Sequence, residues 1–142
     1  MALNDGSSSI DWAKIVTCDA AGELSPYELA ARWADRLSWP VKRTAHDELA
    51  ELACTSALAR WLTRWQPIHI HRALLAGASV QATADALGTS AAEACRSWYE
   101  WAIRQRESII CGRRGVSTEE YATVAQIFTA ARVELPDIEA YR

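Results

Sequence analysis

Glycine and proline are scarce in this chain, with six and four among 142 residues, and no run of residues reads as a β-strand. Isoleucine and valine, which favour strands, are few. Alanine, leucine, glutamate and arginine dominate instead, and these residues favour helices. The chain is long enough to enclose a core, and half of its residues are hydrophobic. We therefore predict an all-α, single-domain bundle of six or seven helices.

Motifs for metal or nucleotide chemistry are also missing. The four cysteines stand alone, and without a C-x-x-C pair no zinc site is expected. His69 and His71 would point about 200° apart on a helix, so they would not converge on one metal ion. There is no glycine-rich phosphate loop and no paired-carboxylate motif. We predict no metal, no cofactor and no enzymatic activity.

The cysteines themselves point to a reducing environment. Cys54 lies inside a helical pattern and Cys95 on the flank of another. Both suit the role of small apolar filler in a reduced, cytoplasmic protein. Neither a signal peptide nor an apolar run of membrane length is visible, so no membrane partner is expected.

Charge is distributed unevenly. The net charge of −3 argues against a protein that coats nucleic acid through a broad basic surface. However, residues 67–114 carry six arginines against four acids, whereas residues 115–142 carry two against five. The middle of the chain is thus mildly basic and the tail is acidic.

Capping residues predict the order of the helices. Ser25, Pro26 and Glu28 form the start of one helix, and Thr44 with Asp47 starts the longest. Pro67 is expected to end that helix and open another. Residues 19–22 are expected to interrupt a short first helix. The predicted segments are a mobile tail 1–9, supporting helices in 10–66, a helix-turn-helix unit 67–111, a C-terminal helix 116–133 and a tail 134–142.

Tryptophan is abundant, with seven residues. Five of the seven fall on apolar helical stripes, and we predict that they are buried in the core, which would leave them unavailable for stacking on single-stranded nucleic acid. These five are Trp33, Trp61, Trp65, Trp98 and Trp101. Trp12 and Trp39 are less constrained.

The stretch from Ser79 to Arg106 has the capping and turn residues typical of two helices joined by a tight turn. Ser79 can cap the first helix, whose buried stripe would be Val80, Ala84 and Leu87. Gly88 suits the left-handed residue that ends a helix. Ser90 with Glu93 predicts a capping box at the start of the second helix.

These residues resemble the helix-turn-helix superfamily of transcriptional regulators. The A-x-x-L-G-x-S core is present as Ala84, Leu87, Gly88 and Ser90, and the match covers about a quarter of the chain. The sequence departs from the usual pattern at the three positions Thr83, Ala94 and Ser97. Small, Ala- and Trp-rich actinobacterial proteins of unassigned role are similar as well.

The resemblance implies that the second helix reads duplex DNA, with its N-terminal residues at the base edges. Arg96 alone among these has the forked donors that suit guanine. Two arginines between glycines near residue 113 would form an exposed turn that contacts phosphates. The predicted DNA-binding residues are Thr89, Ser90, Ala92 and Arg96 at the groove, and Tyr99, Arg113 and Arg114 on phosphates.

A protein-interaction module is the alternative. Glu93, Arg96, Glu100 and Arg104 step down one side of the second helix, as on a solvated surface that pairs its own charges. The same fold would then dock a protein partner through tryptophan-rich or C-terminal helix surfaces. The last helix carries an apolar stripe that packs either on its own core or on a second copy in a homodimer: Tyr121, Val124, Ala125, Phe128 and Ala131.

Overall fold

The computed structural model of the chain describes residues 10–35 and 43–137. The all-α prediction is confirmed, because the described residues form six α-helices, one 3-10 turn and a single small hairpin. The elements are a 3-10 turn Trp12–Lys14, α1 Cys18–Gly22, α2 Pro26–Ala34, α3 Ala45–Leu75, α4 Val80–Leu87, α5 Ala91–Glu107, β1 Ile109–Ile110, β2 Arg113–Arg114 and α6 Thr118–Ala130. The tail predicted at residues 1–9, Trp39 and the last five residues lie outside the described ranges.

The chain divides into two compact units, an N-terminal unit of residues 1–64 and a C-terminal unit of residues 65–142. Helix α3 runs through the division. The supporting helices predicted before residue 67 thus fall mainly in the first unit, and the segment predicted as a helix-turn-helix unit falls in the second. The single-domain architecture stays a prediction.

Side chains cap the two short helices of the N-terminal unit, α1 and α2. The hydroxyl of Thr17 accepts from the Ala20 N–H at 3.2 Å and starts α1 where the sequence predicted an interruption. That prediction is wrong because the hydroxyl cap stabilises a turn whose Ala21 is fully buried. The capping box of α2 is confirmed: the Ser25 N–H donates to Glu28 at 2.8 Å, and the Glu28 N–H donates to Ser25 at 3.2 Å.

Helix α3 starts as predicted and ends later than predicted. The Thr44 N–H donates to the Asp47 carboxylate at 2.8 Å, and the Asp47 N–H donates to the Thr44 hydroxyl at 3.2 Å. The Thr44 N–H and the Thr44 hydroxyl, which donates to the same carboxylate at 2.9 Å, hold the pKa of Asp47 below its usual value. Pro67 lies inside the helix and does not end it. Ile70 and Leu74, both almost fully buried, follow Pro67 on the same helix, and their burial offsets the backbone hydrogen bond that proline lacks.

The core of the N-terminal unit consists mainly of small side chains. It contains Ile15, Ala21, Leu29, Ala53, Cys54 and Ala57. Small residues allow helices to approach closely. Several bulky side chains of α2 and α3 are left at the surface. Trp33 and Trp61 of this unit are 44% and 36% exposed, and Trp65, at the start of the C-terminal unit, is 45% exposed, so the prediction that they are buried is wrong. Leu49 and Leu52 are exposed as well.

The core of the C-terminal unit is aromatic. The Trp98 ring stacks on Tyr121 with centroids 5.5 Å apart and meets Phe128 at 5.4 Å. Both Trp98 and Phe128 are fully buried, as predicted for Trp98, and Trp101 packs against the cluster with part of its surface open. The buried members are Ile70, Leu74, Val80, Cys95, Trp98, Tyr99, Ala102, Val124 and Phe128.

A histidine joins three helices of this core. The Trp98 indole N–H donates to Nδ1 of His71 at 3.1 Å, and Nε2 of His71 lies 3.9 Å from the Glu120 carboxylate. Since Nδ1 accepts, the neutral ring carries its proton on Nε2, facing Glu120. His71 is buried and His69 exposed, so the two histidines face different ways, as predicted.

The last helix uses its apolar stripe on its own unit. Ser117 and Glu120 form the predicted capping box, with the two bonds at 3.3 and 3.1 Å. Val124 and Phe128 are fully buried, and Tyr121 and Ala125 pack against the same core. Ala131, which was expected on the same stripe, is exposed because it lies past the end of the helix. The stripe therefore packs on its own core, and a homodimer through this helix stays a prediction.

Candidate functional site

The junction between α4 and α5 is a turn of three residues. Ser79 caps α4 by accepting from the Ala82 N–H at 3.0 Å. Gly88 ends α4 in the left-handed region with a φ of +69°, where a Cβ would be strained. The next N–H, from Thr89, returns to the Ala84 carbonyl at 3.1 Å. Ser90 then caps α5 by accepting from the Glu93 N–H at 3.1 Å.

Helix α4 tolerates a polar residue on its buried face. Thr83 is 7% exposed, and its hydroxyl donates to the Ser79 carbonyl at 3.0 Å. The hydroxyl is therefore satisfied within the helix, and the methyl group remains free to pack. Ala84 beside it is fully buried. Thr83, a departure from the usual helix-turn-helix pattern, thus fits the local structure.

Helix α5 is held on one side and open on the other. Its inner side is buried at Ala94, Cys95, Trp98, Tyr99 and Ala102. Burial raises the pKa of the Cys95 thiol to about 11, so this cysteine stays protonated filler, as predicted. Because the inner side is anchored, the outer side has a fixed orientation.

The structure brings four of the predicted DNA-binding residues to the start of this outer side. Thr89, Ser90, Ala92 and Arg96 are all exposed within about two turns of one another. Tyr99 does not join them. Its ring is 2% exposed and packs edge-on to Trp98 in the core, so the expected phosphate contact from Tyr99 is wrong.

Arg96 is held by a neighbouring acid. Its guanidinium forms an ion pair with the Glu93 carboxylate one turn earlier. The capping box predicted at this helix is therefore only half made, because Glu93 is turned toward Arg96 and its carboxylate does not return to the Ser90 N–H. This pair is the single ion pair formed within the row of four charges that the sequence places on this side, all of which lie in the described residues.

A β-hairpin follows α5 directly. Ile109 pairs with Arg114, and Ile110 pairs with Arg113. The turn is formed by Cys111 and Gly112, which have φ values of +51° and +75°. Positive φ at both central residues is the geometry of the tight hairpin turn. The predicted turn at the arginines is thus displaced: Arg113 and Arg114 lie on the second strand, exposed as expected.

The end of the hairpin is fastened to α5. The Gly115 N–H donates to the Gln105 carbonyl at 3.1 Å and to the Ser108 carbonyl at 3.3 Å. A side chain at position 115 would meet Gln105, so glycine is needed for this close approach. Arg106 lies over the Tyr121 ring at 4.6 Å and supports the same region.

The arginines near the hairpin are open to an anion. Arg104, Arg113 and Arg114 are exposed, and within residues 10–35 and 43–137 none of the three forms an ion pair. Sequence reasoning missed Arg104, which it took as part of a self-paired surface. The spacing to Glu100 allowed a pair, and the structure does not form it.

Other chemistry has less support in the part of the chain that the structure describes. No group of three or more His, Cys, Asp or Glu side chains lies close enough together there to hold a metal ion. Within the same residues, no helix combines the length and the apolar character needed to cross a membrane. Comparisons with protein-family models, with curated proteins and with solved structures give no match for this chain.

Proposed function

We propose that the protein binds duplex DNA through the outer side of α5 and the hairpin, as a regulator of transcription or an accessory factor. One observation carries the proposal. Helix α5 is anchored by a buried inner side, while Thr89, Ser90, Ala92 and Arg96 are presented together at its exposed N-terminal end. A helix that follows a tight turn and exposes its first residues is the geometry used to read the major groove.

The roles of the residues follow from their chemistry. Arg96 has two parallel donors that match the two acceptors of guanine. Thr89 and Ser90 can donate hydroxyl hydrogen bonds to phosphates at the rim of the groove. The hairpin arginines, at the other end of α5, supply cations for the backbone. Arg96 and Arg104 are about 12 Å apart along the helix axis, so the contacts would extend along the duplex.

The test is a binding titration with a duplex selected from a random pool, followed by fluorescence anisotropy. We expect Arg96→Ala to weaken binding about tenfold or more and to relax the choice of bases. The double change Arg113→Ala with Arg114→Ala should weaken binding to all sequences and flatten the dependence of log Kd on log salt by about two units. Arg64→Ala, an exposed arginine of the N-terminal unit, is the charge-matched control and should change nothing.

Two results would overturn the proposal. One is binding that both arginine variants retain in full. The other is binding whose affinity does not change with salt, since phosphate contacts release counterions and must weaken as salt rises.

The second candidate function is docking of a protein partner, and the exposed apolar side chains of the N-terminal unit favour it. Leu62 is 50% exposed on α3, beside the partly exposed Trp61. Exposed arginines at positions 60 and 64 flank these two residues. This combination suits an acidic, amphipathic helix of another protein. Such binding would weaken with salt less steeply than DNA binding, because the apolar contacts do not depend on salt, and it would be lost in Leu62→Ser, which separates it from DNA binding.

A further inference from the structure

Three helices of this protein begin with the same Ser-x-x-Glu sequence, and one of them behaves differently. At α2 and α6 the glutamate carboxylate returns to the serine N–H, at 2.8 and 3.3 Å, and closes the capping box. At α5 the Ser90 hydroxyl accepts from the Glu93 backbone N–H, as in the other two helices, but the Glu93 carboxylate pairs with Arg96. The Ser90 N–H is thus left without its usual side-chain acceptor.

The Glu93 carboxylate can reach two partners, but it can bind only one of them at a time. In the first, its carboxylate neutralises Arg96, one turn along the same side of α5. In the second, it turns back and accepts from the Ser90 N–H, as its counterparts Glu28 and Glu120 do. Both arrangements lie at the surface, where an exposed ion pair and an exposed cap contribute similar small amounts. The exchange between them therefore has little cost in either direction.

We propose that Glu93 is a specificity-determining residue of the DNA-binding surface, which withholds Arg96 from the phosphate backbone and releases it by closing the Ser90 capping box. This inference rests on the proposed function. A phosphate offers Arg96 little more than the carboxylate it already has. The phosphate and the Glu93 carboxylate also carry like charges and repel each other beside Arg96. A guanine edge is uncharged and offers two aligned acceptors, so Glu93 opposes the base contact less than it opposes the phosphate contact.

The negative charge of Glu93 also acts directly. Beside a bound duplex it repels phosphates, and this repulsion lowers the affinity for every sequence. The lost affinity is regained only where Arg96 makes its base contact. Glu93 thus lowers non-specific binding more than specific binding, which is how an unfavourable element raises selectivity.

The switch of Glu93 between Arg96 and the Ser90 N–H can be tested without DNA. In Arg96→Ala the carboxylate loses its first partner and should close the capping box. We expect the Ser90 amide proton to move downfield in the NMR spectrum and to exchange more slowly with solvent. In Glu93→Ala the same amide should exchange faster or stay unchanged. If the Ser90 amide does not respond to Arg96→Ala, Glu93 does not switch between the two partners and the proposal is overturned.

The effect on DNA is tested with Glu93→Gln, because glutamine keeps the ability to accept from the Ser90 N–H and loses the charge. Binding to random duplex should strengthen about three- to tenfold at low salt. Binding to the selected duplex should strengthen less, so the ratio of the two affinities falls. The matched control is Glu28→Gln, which makes the same change in the capping box of α2 and should leave both affinities unchanged.

The outcomes separate this inference from the proposed function. If the wild-type protein binds DNA and Glu93→Gln leaves the affinity ratio unchanged, the role of Glu93 is overturned and DNA binding stands. A uniform gain on both duplexes also overturns it, since charge alone would then explain the change. If neither protein binds any duplex, the proposed function fails and this inference fails with it.

Discussion

The two units of the chain are built from similar helices but fill their interiors differently. The N-terminal unit has alanine and cysteine at the buried side of α3, and several large apolar side chains of that helix, such as Leu52 and Leu62, remain at the surface. The C-terminal unit buries tryptophan and phenylalanine at its centre, and α3, α5 and α6 all contribute residues to that cluster. The number of hydrophobic residues in a helix therefore does not determine which of them form a core.

The difference bears on function. In the C-terminal unit the aromatic core fixes the inner side of α5, and the polar outer side is presented to solvent in a defined orientation. In the N-terminal unit apolar groups such as Leu52 and Leu62 are presented instead. The first arrangement suits a charged ligand, and the second suits an apolar one.

The largest effect is expected from removing the central ring of the C-terminal core. Trp98→Ala should lower the free energy of unfolding by about 3–5 kcal/mol, because it leaves a cavity and also removes the donor to His71. Trp33→Ala in the N-terminal unit should cost only about 1 kcal/mol, since nearly half of that side chain is already exposed. Urea unfolding followed by circular dichroism measures both.

Amide hydrogen exchange shows which helices lose stability in each variant. In Trp98→Ala the exchange rates should rise in α5 and α6. Equal losses of stability in the two tryptophan variants would contradict the distinction between the units.

Local features of this fold follow directly from the sequence. The caps at Ser25, Ser79, Ser90 and Ser117 were all predicted, as was the end of α4 at Gly88. Each depends on a few neighbouring residues, so the chemical signal and the structure that it forms lie within one turn. The exposure of Arg96 and Arg113 was also predicted from residues close to them in the sequence.

Other features depend on residues far apart in sequence. Pro67 was predicted to end a helix, but Ile70 and Leu74 bury against distant partners and the helix continues. The three exposed tryptophans were assigned to a core by spacing alone, which cannot tell whether another helix covers the stripe. Tyr99 lies near the edge of the buried side of α5, where spacing does not decide burial.

A smaller effect is expected where the hairpin meets α5. In Gly115→Ala the added Cβ would overlap the Gln105 side chain and lie 3.2 Å from its backbone carbonyl oxygen. The side chain can move, but the backbone must shift by a few tenths of an ångström. We expect a loss of about 1 kcal/mol. The control is Gly22→Ala in the N-terminal unit, where nothing lies within 4 Å and the helical backbone should gain about 0.5 kcal/mol.

Nuclear Overhauser effects between the two hairpin strands report the same contact independently. They should weaken in Gly115→Ala and persist in Gly22→Ala. A variant at position 115 that is as stable as wild type, with its hairpin intact, would show that the close approach to Gln105 does not constrain the hairpin.

The smallest effect is a dependence of stability on pH that belongs to the C-terminal unit. Burial lowers the pKa of His71 below its ordinary value of 6.5, against the opposing influence of the Glu120 carboxylate. Protonation would also place a hydrogen on Nδ1, where the Trp98 N–H already donates. The unfolded chain therefore binds the proton more readily than the folded one. Stability should be fully present above pH 6.5 and decrease as the pH falls toward the folded pKa.

The variant His71→Gln separates this group from the other titrating residues, because its amide oxygen can accept from Trp98 and has no charge change. Free energies of unfolding are compared between wild type and variant from pH 7.5 to 5. The difference between them should change with pH only below about 6.5. A constant difference would mean that His71 binds its proton equally well in both states. The buried link between α3 and α5 would then tolerate the charge that the aromatic surroundings are expected to exclude.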